Sequence, residues 1–76
     1  MKADATLDCS GLYCPMPIFH TGNKLKELEA GQVLEILADD EGIKEDMPAW
    51  CRATGNELLS IEEEAGGYKV YIKKSK

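Results

Sequence analysis

The chain has 76 residues and a net charge of −5, so we predict a single domain over residues 1–76 with a thin core. The acidic balance argues against direct binding to nucleic acid, because a phosphate backbone repels a negatively charged protein. No apolar run suggests a signal peptide or a membrane span, which predicts a cytoplasmic protein without a membrane partner.

The first half of the chain predicts a strand, a helix and a second strand. Alternation over Ala5–Cys9 indicates a short strand, and residues 10–13 a loop. A helix is predicted to begin at Pro15 and to end at Gly31, because apolar residues recur between them at helical spacing. The nearly continuous apolar run Val33–Ala38 indicates a strand covered on at least one face. The apolar stripe of the helix comprises Ile18, Thr21, Leu25 and Leu28.

The second half predicts a helix followed by two strands. Apolar residues recur at helical spacing from Ile43 onward, and Gly55 is expected to end that helix. Pro48 lies inside it and predicts either a kink or a restart of the helix with Asp46 as its cap. Two alternating segments then flank Ala65-Gly66-Gly67, which is typical of a β-hairpin. These segments are Leu58–Glu64 and Tyr68–Lys73.

The predicted order β-α-β-α-β-β indicates an α+β fold, a two-layer sandwich. Right-handed crossovers would place both helices on one face of a four-stranded mixed sheet. The first three strands would run parallel, with the fourth antiparallel beside the third. The loop at Cys14, the pair Asp39-Asp40 and the turn Gly66-Gly67 would then share the edge at the carboxyl ends of the parallel strands.

The segment Gly11-Leu12-Tyr13-Cys14-Pro15-Met16-Pro17 carries the most distinctive chemistry. Pro15 suits the first helical position, and a residue before proline is pushed out of helical geometry, which predicts Cys14 as the N-cap. The positive end of the helix dipole would favour the thiolate of Cys14, and a thiolate is the nucleophile of sulfur exchange. The N–H groups of Met16 and Ile18 can point toward that sulfur. The alternative is a helix that merely starts with Cys-Pro.

These residues resemble the TusA family, also called SirA-like. The resemblance implies the sandwich described above and a cysteine, here Cys14, that accepts sulfur as a persulfide. It implies a donor protein such as a cysteine desulfurase or rhodanese, and an acceptor protein in tRNA thiolation, sulfur oxidation or cofactor synthesis. No metal or organic cofactor is implied. The matching segments are Leu7-Asp8-Cys9, Gly11-Leu12, Cys14-Pro15-x-Pro17, Gly31, Asp39-Asp40, Met47-Pro48-x-Trp50-Cys51 and Gly55-x-Glu57.

Three positions depart from the family pattern and leave the pathway open. Ser10 stands where many members have Arg, Glu41 where Pro is common, and Asn56 where His is frequent. Two functions therefore remain. The chain is a sulfurtransferase of the carrier type that reacts through Cys14, or a non-catalytic binding or thiol-redox regulatory module in which Cys14 only caps the helix.

The other cysteines and the histidine have simpler interpretations. Three cysteines, an odd number, favour free thiols over a disulfide scaffold. Cys9 and Cys51 fall on apolar faces, so we predict buried core thiols rather than a resolving partner for Cys14. His20 is predicted to be a surface imidazole, and the spacing of these residues does not indicate a zinc site.

The remaining candidate residues concern partner binding. Asp39 and Asp40 are interpreted as caps of the second helix that could also contribute to partner recognition. Tyr13 and Met16 flank Cys14 and either present an apolar pair for docking or pack on the domain. The chain is expected to be a monomer that meets its sulfur donor and acceptor at this edge.

Overall fold

The computed structural model describes residues 2–13, 16–64 and 66–75. Within these ranges the element order β-α-β-α-β-β is confirmed, and the fold is the predicted two-layer sandwich of a four-stranded mixed sheet and two helices. The strands are β1 (Ala5–Asp8), β2 (Val33–Ala38), β3 (Glu57–Glu64) and β4 (Gly67–Lys73), and the helices are α1 (Met16–Leu25) and α2 (Ile43–Thr54).

The strands lie in the order β1-β2-β4-β3. β1 pairs parallel with β2, and β4 pairs antiparallel with both β2 and β3. The predicted common direction of the first three strands and the β3–β4 hairpin are therefore confirmed. The sequence pattern did not indicate that β4 lies between β2 and β3. As a result, the connection through α2 passes over β4 before the chain returns as β3.

The core lies between the helices and one face of the sheet. Along β2 the side chains alternate, so that Leu34, Ile36 and Ala38 are buried while their neighbours are partly exposed. This alternation arises because successive strand residues point to opposite faces, and only one face is covered by helices. The buried hydrophobic cluster comprises Cys9, Leu25, Leu34, Ile36, Ala38, Ile43, Met47, Cys51, Tyr68, Val70 and Ile72.

The first helix ends earlier than predicted, at Leu25 rather than at Gly31. Beyond Leu25 the backbone continues in turns, with the N–H of Leu28 donating to the carbonyl of Leu25 at 3.1 Å. The N–H of Gly31 donates to the carbonyl of Lys74 at 2.7 Å, which extends the pairing of β2 with β4. The chain must therefore leave the helix before Gly31, although Leu28 still packs against the core.

The second helix runs without interruption through Pro48 to Thr54. The predicted restart at Asp46 is therefore wrong, and Asp46 lies inside the helix. The predicted end at Gly55 is confirmed, since Gly55 has a φ of 82° and its N–H donates to the carbonyl of Cys51. In the described ranges, neither helix has the length and apolar content that crossing a membrane would require.

Candidate functional site

The carboxyl ends of β1, β2 and β3 lie at the same edge of the sheet, as predicted, although β4 separates β2 from β3. Asp8 at the end of β1 pairs with Leu37, and Ala38 at the end of β2 pairs with Tyr68. The loops that follow these strands border a shallow groove of about 220 Å³. Its lining includes Ser10, Asp39, Gly66 and Gly67. The structure thus brings the predicted loops together at one open edge of the sheet, without an enclosed cavity.

Cys14 and Pro15, at the centre of the predicted site, lie outside the described residues. On either side of them, Tyr13 ends the loop of residues 10–13 and Met16 begins α1. The N–H of Met16 donates to the carbonyl of Tyr13 at 2.8 Å. The Tyr13 carbonyl thus engages the Met16 N–H, one of the two donors that were predicted to be able to face the sulfur of Cys14. Pro17 lies in the first turn of α1, as predicted, and is buried.

The loop before Cys14 is held by two carboxylates. The N–H of Gly11 donates to both carboxylate oxygens of Asp39, at 3.1 Å each, and the N–H of Ser10 donates to Asp8 Oδ1 at 2.9 Å. This contact with Ser10 lowers the pKa of the Asp8 carboxyl. Gly11 has a φ of 81°, a conformation that favours glycine. The loop is therefore positioned from β1 on one side and from the end of β2 on the other.

The two adjacent aspartates have different roles, and neither is the N-cap of α2. Asp40 Oδ1 accepts from the N–H of Gly42 at 3.3 Å, and the Asp40 carbonyl accepts from Ile43 at 3.2 Å, so Asp40 shapes the turn before α2. The structure places Gly42 itself at the N-cap, with no side-chain capping bond. Asp39 instead binds Gly11 of the loop. The interpretation of Asp39 as a cap of α2 is therefore wrong.

Asp39→Ala is expected to loosen the loop, whereas Asp39→Asn is expected to preserve it. The asparagine keeps a side-chain oxygen that can accept from the Gly11 N–H, and the alanine does not. A hydrogen bond of this kind contributes on the order of 1 kcal/mol, so amide exchange at Gly11 should accelerate about fivefold in Asp39→Ala. Hydrogen exchange followed by NMR measures this. Equal exchange in both variants would show that Asp39 does not hold the loop.

The predictions for Cys9 and Cys51 as core thiols are confirmed. Both side chains are buried among the apolar residues of the core. Burial disfavours the charged thiolate, so it raises the pKa of Cys51 to about 11. Burial also raises the pKa of Cys9, and the negative charge of Asp8 adds to this effect. Both thiols are therefore neutral at physiological pH and are poor nucleophiles.

Large apolar side chains on either side of Cys14 in the sequence are exposed. Tyr13 is 74% exposed, Met16 42% and Phe19 60%, which makes them the exposed large hydrophobic residues of the described chain. Of the two predicted alternatives, packing on the domain is wrong for Tyr13. Phe19 was not singled out by the sequence pattern. The available signal was a large apolar residue beside, rather than on, the helical stripe that faces the core.

His20 is exposed, which agrees with the predicted surface imidazole. Within the described part of the chain, no three His, Cys, Asp or Glu side chains are placed to hold a metal ion. The arrangement is thus an open edge where a loop, anchored by carboxylates, leads into the first turn of a helix. Such an edge can present one reactive group to a second protein, but it cannot enclose a small substrate.

The sequence of the chain is similar to those of known proteins. Residues 5–74 match the model of the family described as sulfurtransferase TusA. The chain is similar to YrkI of Bacillus subtilis, named as a sulfur carrier protein, with 46% identity over 74 residues that cover 97% of this chain and 99% of the relative. It is 44% identical over 72 residues to the sulfur carrier protein TusA of Allochromatium vinosum, covering 95% of each.

Not all relatives have the same length. The chain is 43% identical over 75 residues to a protein of Aquifex aeolicus that is also named as a sulfur carrier, but it spans only 38% of that relative. Among solved structures, a SirA-like protein from Desulfitobacterium hafniense matches with a TM-score of 0.80 and 27% sequence identity. That match covers 95% of this chain and 99% of the other.

Proposed function

The chain belongs to the TusA sulfurtransferase family, and from this we propose that it is a sulfur carrier that holds sulfane sulfur as a persulfide on Cys14. The observation that carries the proposal is the burial of the other two cysteines. Cys9 and Cys51 are core thiols with raised pKa values, so chemistry by a thiolate falls to Cys14 in the family motif. The open edge around the motif suits exchange between two proteins.

The proposed reaction is two successive sulfur transfers. In the first, the Cys14 thiolate attacks the outer sulfur of a donor persulfide, the S–S bond of the donor breaks, and the donor cysteine leaves as a thiolate. In the second, an acceptor thiolate attacks the outer sulfur now on Cys14, and the Cys14 thiolate leaves. Each step breaks one S–S bond and forms another, so neither needs an oxidant, a metal or an organic cofactor.

The residues around Cys14 would contribute position rather than chemistry. Asp8 and Asp39 hold the loop that leads to Cys14, and the buried Pro17 fixes the first turn of α1. A reacting sulfur held in one place meets a partner at lower entropic cost than a mobile one. The donor would be a protein such as a cysteine desulfurase or rhodanese, and the acceptor another protein of a sulfur relay.

The alternative, a binding or thiol-redox regulatory module of the same fold, has less support. A redox switch within the chain needs a second accessible thiol to form a disulfide with Cys14. Cys9 and Cys51 are buried, with 0% and 2% exposure, and burial keeps both thiols neutral. Neither is suited to resolve a disulfide at the edge.

Mass spectrometry of the intact chain tests the proposal. After incubation with a cysteine desulfurase and cysteine, the chain should gain one sulfur atom, and dithiothreitol should remove it. Peptide mapping after alkylation should place that sulfur on Cys14. The same experiment with a rhodanese and thiosulfate provides a second donor. Loading on Cys9 or Cys51, or no loading from either donor, would contradict the proposal.

A further inference from the structure

A second groove lies at the end of the molecule opposite to the edge that leads to Cys14. Its volume is about 290 Å³, close to the lower end of the range of roughly 300–1,000 Å³ that small-molecule sites occupy. It opens between the C-terminal halves of α1 and α2, and the 10 residues of α1, a length of about 15 Å, separate it from that edge. The lining of this helix-end groove includes Gly22, Lys26, Trp50, Thr54, Asn56 and Lys74.

Gly22 keeps one wall of the helix-end groove open. A glycine inside a helix makes the helix less stable than an alanine would. The packing of α1 does not require this glycine, because a Cβ added at Gly22 would meet Trp50 Cζ2 at 3.5 Å, an ordinary van der Waals contact. A longer side chain at the same position would extend into the groove that Gly22 lines. The missing side chain therefore weakens the helix and leaves space beside the Trp50 ring.

Trp50 gives the helix-end groove an aromatic wall. The side chain is partly buried and packs against the hydrophobic core, and it also lines the groove. An indole held in this way by the core presents a rigid, flat apolar surface. Planar rings such as nucleobases stack on surfaces of this kind, whichever base is present. The aromatic wall therefore favours a ligand with a planar ring.

Hydrogen bonds hold the polar wall of the groove in place. Thr54 Oγ1 donates to the Trp50 carbonyl at 2.8 Å, and Asn56 Nδ2 donates to Thr54 Oγ1 at 3.0 Å. Asn56 Oδ1 in turn accepts from the N–H of Ser75 at 3.2 Å. This chain of contacts joins the end of α2 to the segment that follows β4. The groove is therefore formed before a ligand arrives, which lowers the entropic cost of binding.

Two lysines give the groove its charge. Within the described chain, neither Lys26 nor Lys74 forms an ion pair, whereas Lys24 nearby pairs with Glu27 at 3.4 Å. Lys74 Nζ donates to the Leu28 carbonyl at 2.6 Å, which fixes the position of the ammonium group. An ammonium group has three donors, so this contact leaves two of them for an anion. The charges of Lys26 and Lys74 therefore favour an anionic ligand.

We propose that the helix-end groove binds a small planar aromatic compound that carries a phosphate group, the chemical class of the nucleoside monophosphates. The ring occupies the space beside Gly22 and stacks on Trp50, and the phosphate accepts hydrogen bonds from Lys26 and Lys74. The site goes beyond the proposed function, because it lies away from Cys14 and takes no part in sulfur exchange. Its success or failure is therefore measured independently of sulfur loading.

The fluorescence of Trp50 reports on this site alone, because the chain has one tryptophan. Adenosine monophosphate should quench that fluorescence until the site is saturated, and in NMR spectra it should shift the amide signals of Gly22, Thr54 and Asn56 most. Adenosine and inorganic phosphate each supply one part of the ligand and should bind about tenfold more weakly. The absence of a saturable change with adenosine monophosphate in both measurements would overturn the proposal.

Adenosine and phosphate also separate the two parts of the recognition. Equal affinity for adenosine and adenosine monophosphate would mean that the lysines only balance the partial negative charge at the C-terminal ends of the helices. Equal affinity for phosphate and adenosine monophosphate would mean that the groove is a simple anion site without stacking on Trp50. Either result would overturn the proposal.

Gly22→Leu tests whether the open wall is needed. The leucine fills the space beside Trp50 without a change of charge, so adenosine monophosphate should bind about tenfold more weakly or not at all. The fold should persist, because leucine is a better helix former than glycine. Undiminished binding by the folded variant would overturn the proposal. If the variant fails to fold, the lysine variants decide.

The double variant Lys26→Gln/Lys74→Gln tests the phosphate contacts. It should bind adenosine monophosphate about tenfold more weakly and adenosine as the parent does, because adenosine has no anionic group. Its matched control, Lys44→Gln/Lys69→Gln, removes the same charge from lysines that do not line the groove, and it should bind adenosine monophosphate like the parent. Equal losses in the two double variants, or no loss in the first, would overturn the proposal.

Discussion

Cys14→Ser is expected to abolish sulfur loading while leaving the fold unchanged. A serine hydroxyl is not ionised at neutral pH and cannot form the S–S bond that holds the transferred sulfur. The loss should therefore be complete within detection, rather than a change of a few-fold. The β-sheet and the described core do not include residue 14, so the thermal melting curve should stay close to that of the parent.

Cys51→Ala is the matched control, and the two variants should separate chemistry from stability. Cys51 is 2% exposed and belongs to the core, so its truncation should cost about 1 kcal/mol of unfolding free energy through the lost burial. It should still load one sulfur. Loading that survives in Cys14→Ser, or that disappears in Cys51→Ala while that variant remains folded, would reassign the sulfur-carrying residue.

Cys14→Ser should also differ from the parent when thiolate absorbance is followed from neutral to alkaline pH. Burial raises the pKa of Cys51 to about 11 and also raises that of Cys9. Both thiols therefore stay protonated as the pH rises through the range where an ordinary thiol ionises, near 8.5. The parent should show an early ionisation step from Cys14, and Cys14→Ser should lack it.

Ile36→Ala is expected to destabilise the chain by about 3 kcal/mol, since truncation of a buried isoleucine removes burial and leaves a cavity. Ile36 has no exposed surface and lies on β2, where it pairs with Leu7 of β1 and Val70 of β4. A domain of this size has a total stability of roughly 4 to 11 kcal/mol, so the loss is a large fraction of it. Urea denaturation of the parent and the variant measures the difference.

Leu37→Ala provides a control within the same strand. Leu37 points to the other face of the sheet, which no helix covers, and is only partly buried. Its truncation should cost about 1 kcal/mol, because less surface returns to water. A greater loss in Leu37→Ala than in Ile36→Ala would mean that the core lies on the opposite face of the sheet from the one described.

Local patterns predicted the elements well, but not their long-range arrangement. The alternation along the strands and the apolar stripes of the helices depend on neighbouring residues, and these elements were found where expected. The position of β4 between β2 and β3 depends on contacts between distant segments, as in the pairing of Ile36 with Val70. The early end of α1 also depends on a distant contact, because the N–H of Gly31 donates to the carbonyl of Lys74.

At the candidate site, too, local patterns predicted some features and missed those that depend on distant contacts. The shared edge of the loops followed from the direction of parallel strands, whereas the N-cap position that proline chemistry predicts for Cys14 lies outside the described residues. The role of Asp39 did not follow from local patterns, since its partner Gly11 is 28 positions away and capping of the next helix was the nearest explanation. Phe19 was missed because helical spacing identifies residues that face the core and does not reveal which of the others form a surface.

The position of β4 between β2 and β3 affects how the chain folds during its synthesis. β2 and β3 never pair with each other, and each is hydrogen-bonded instead to β4 between them. A ribosome releases residues in order, at roughly 5–20 per second, so a nascent chain that ends before Gly67 has neither pairing available to it. Until then β2 has no strand beside it on the edge that β4 will occupy. Its apolar side chains can then contact chaperones or other nascent chains. The four-stranded sheet can be completed only when β4, the last strand in chain order, emerges.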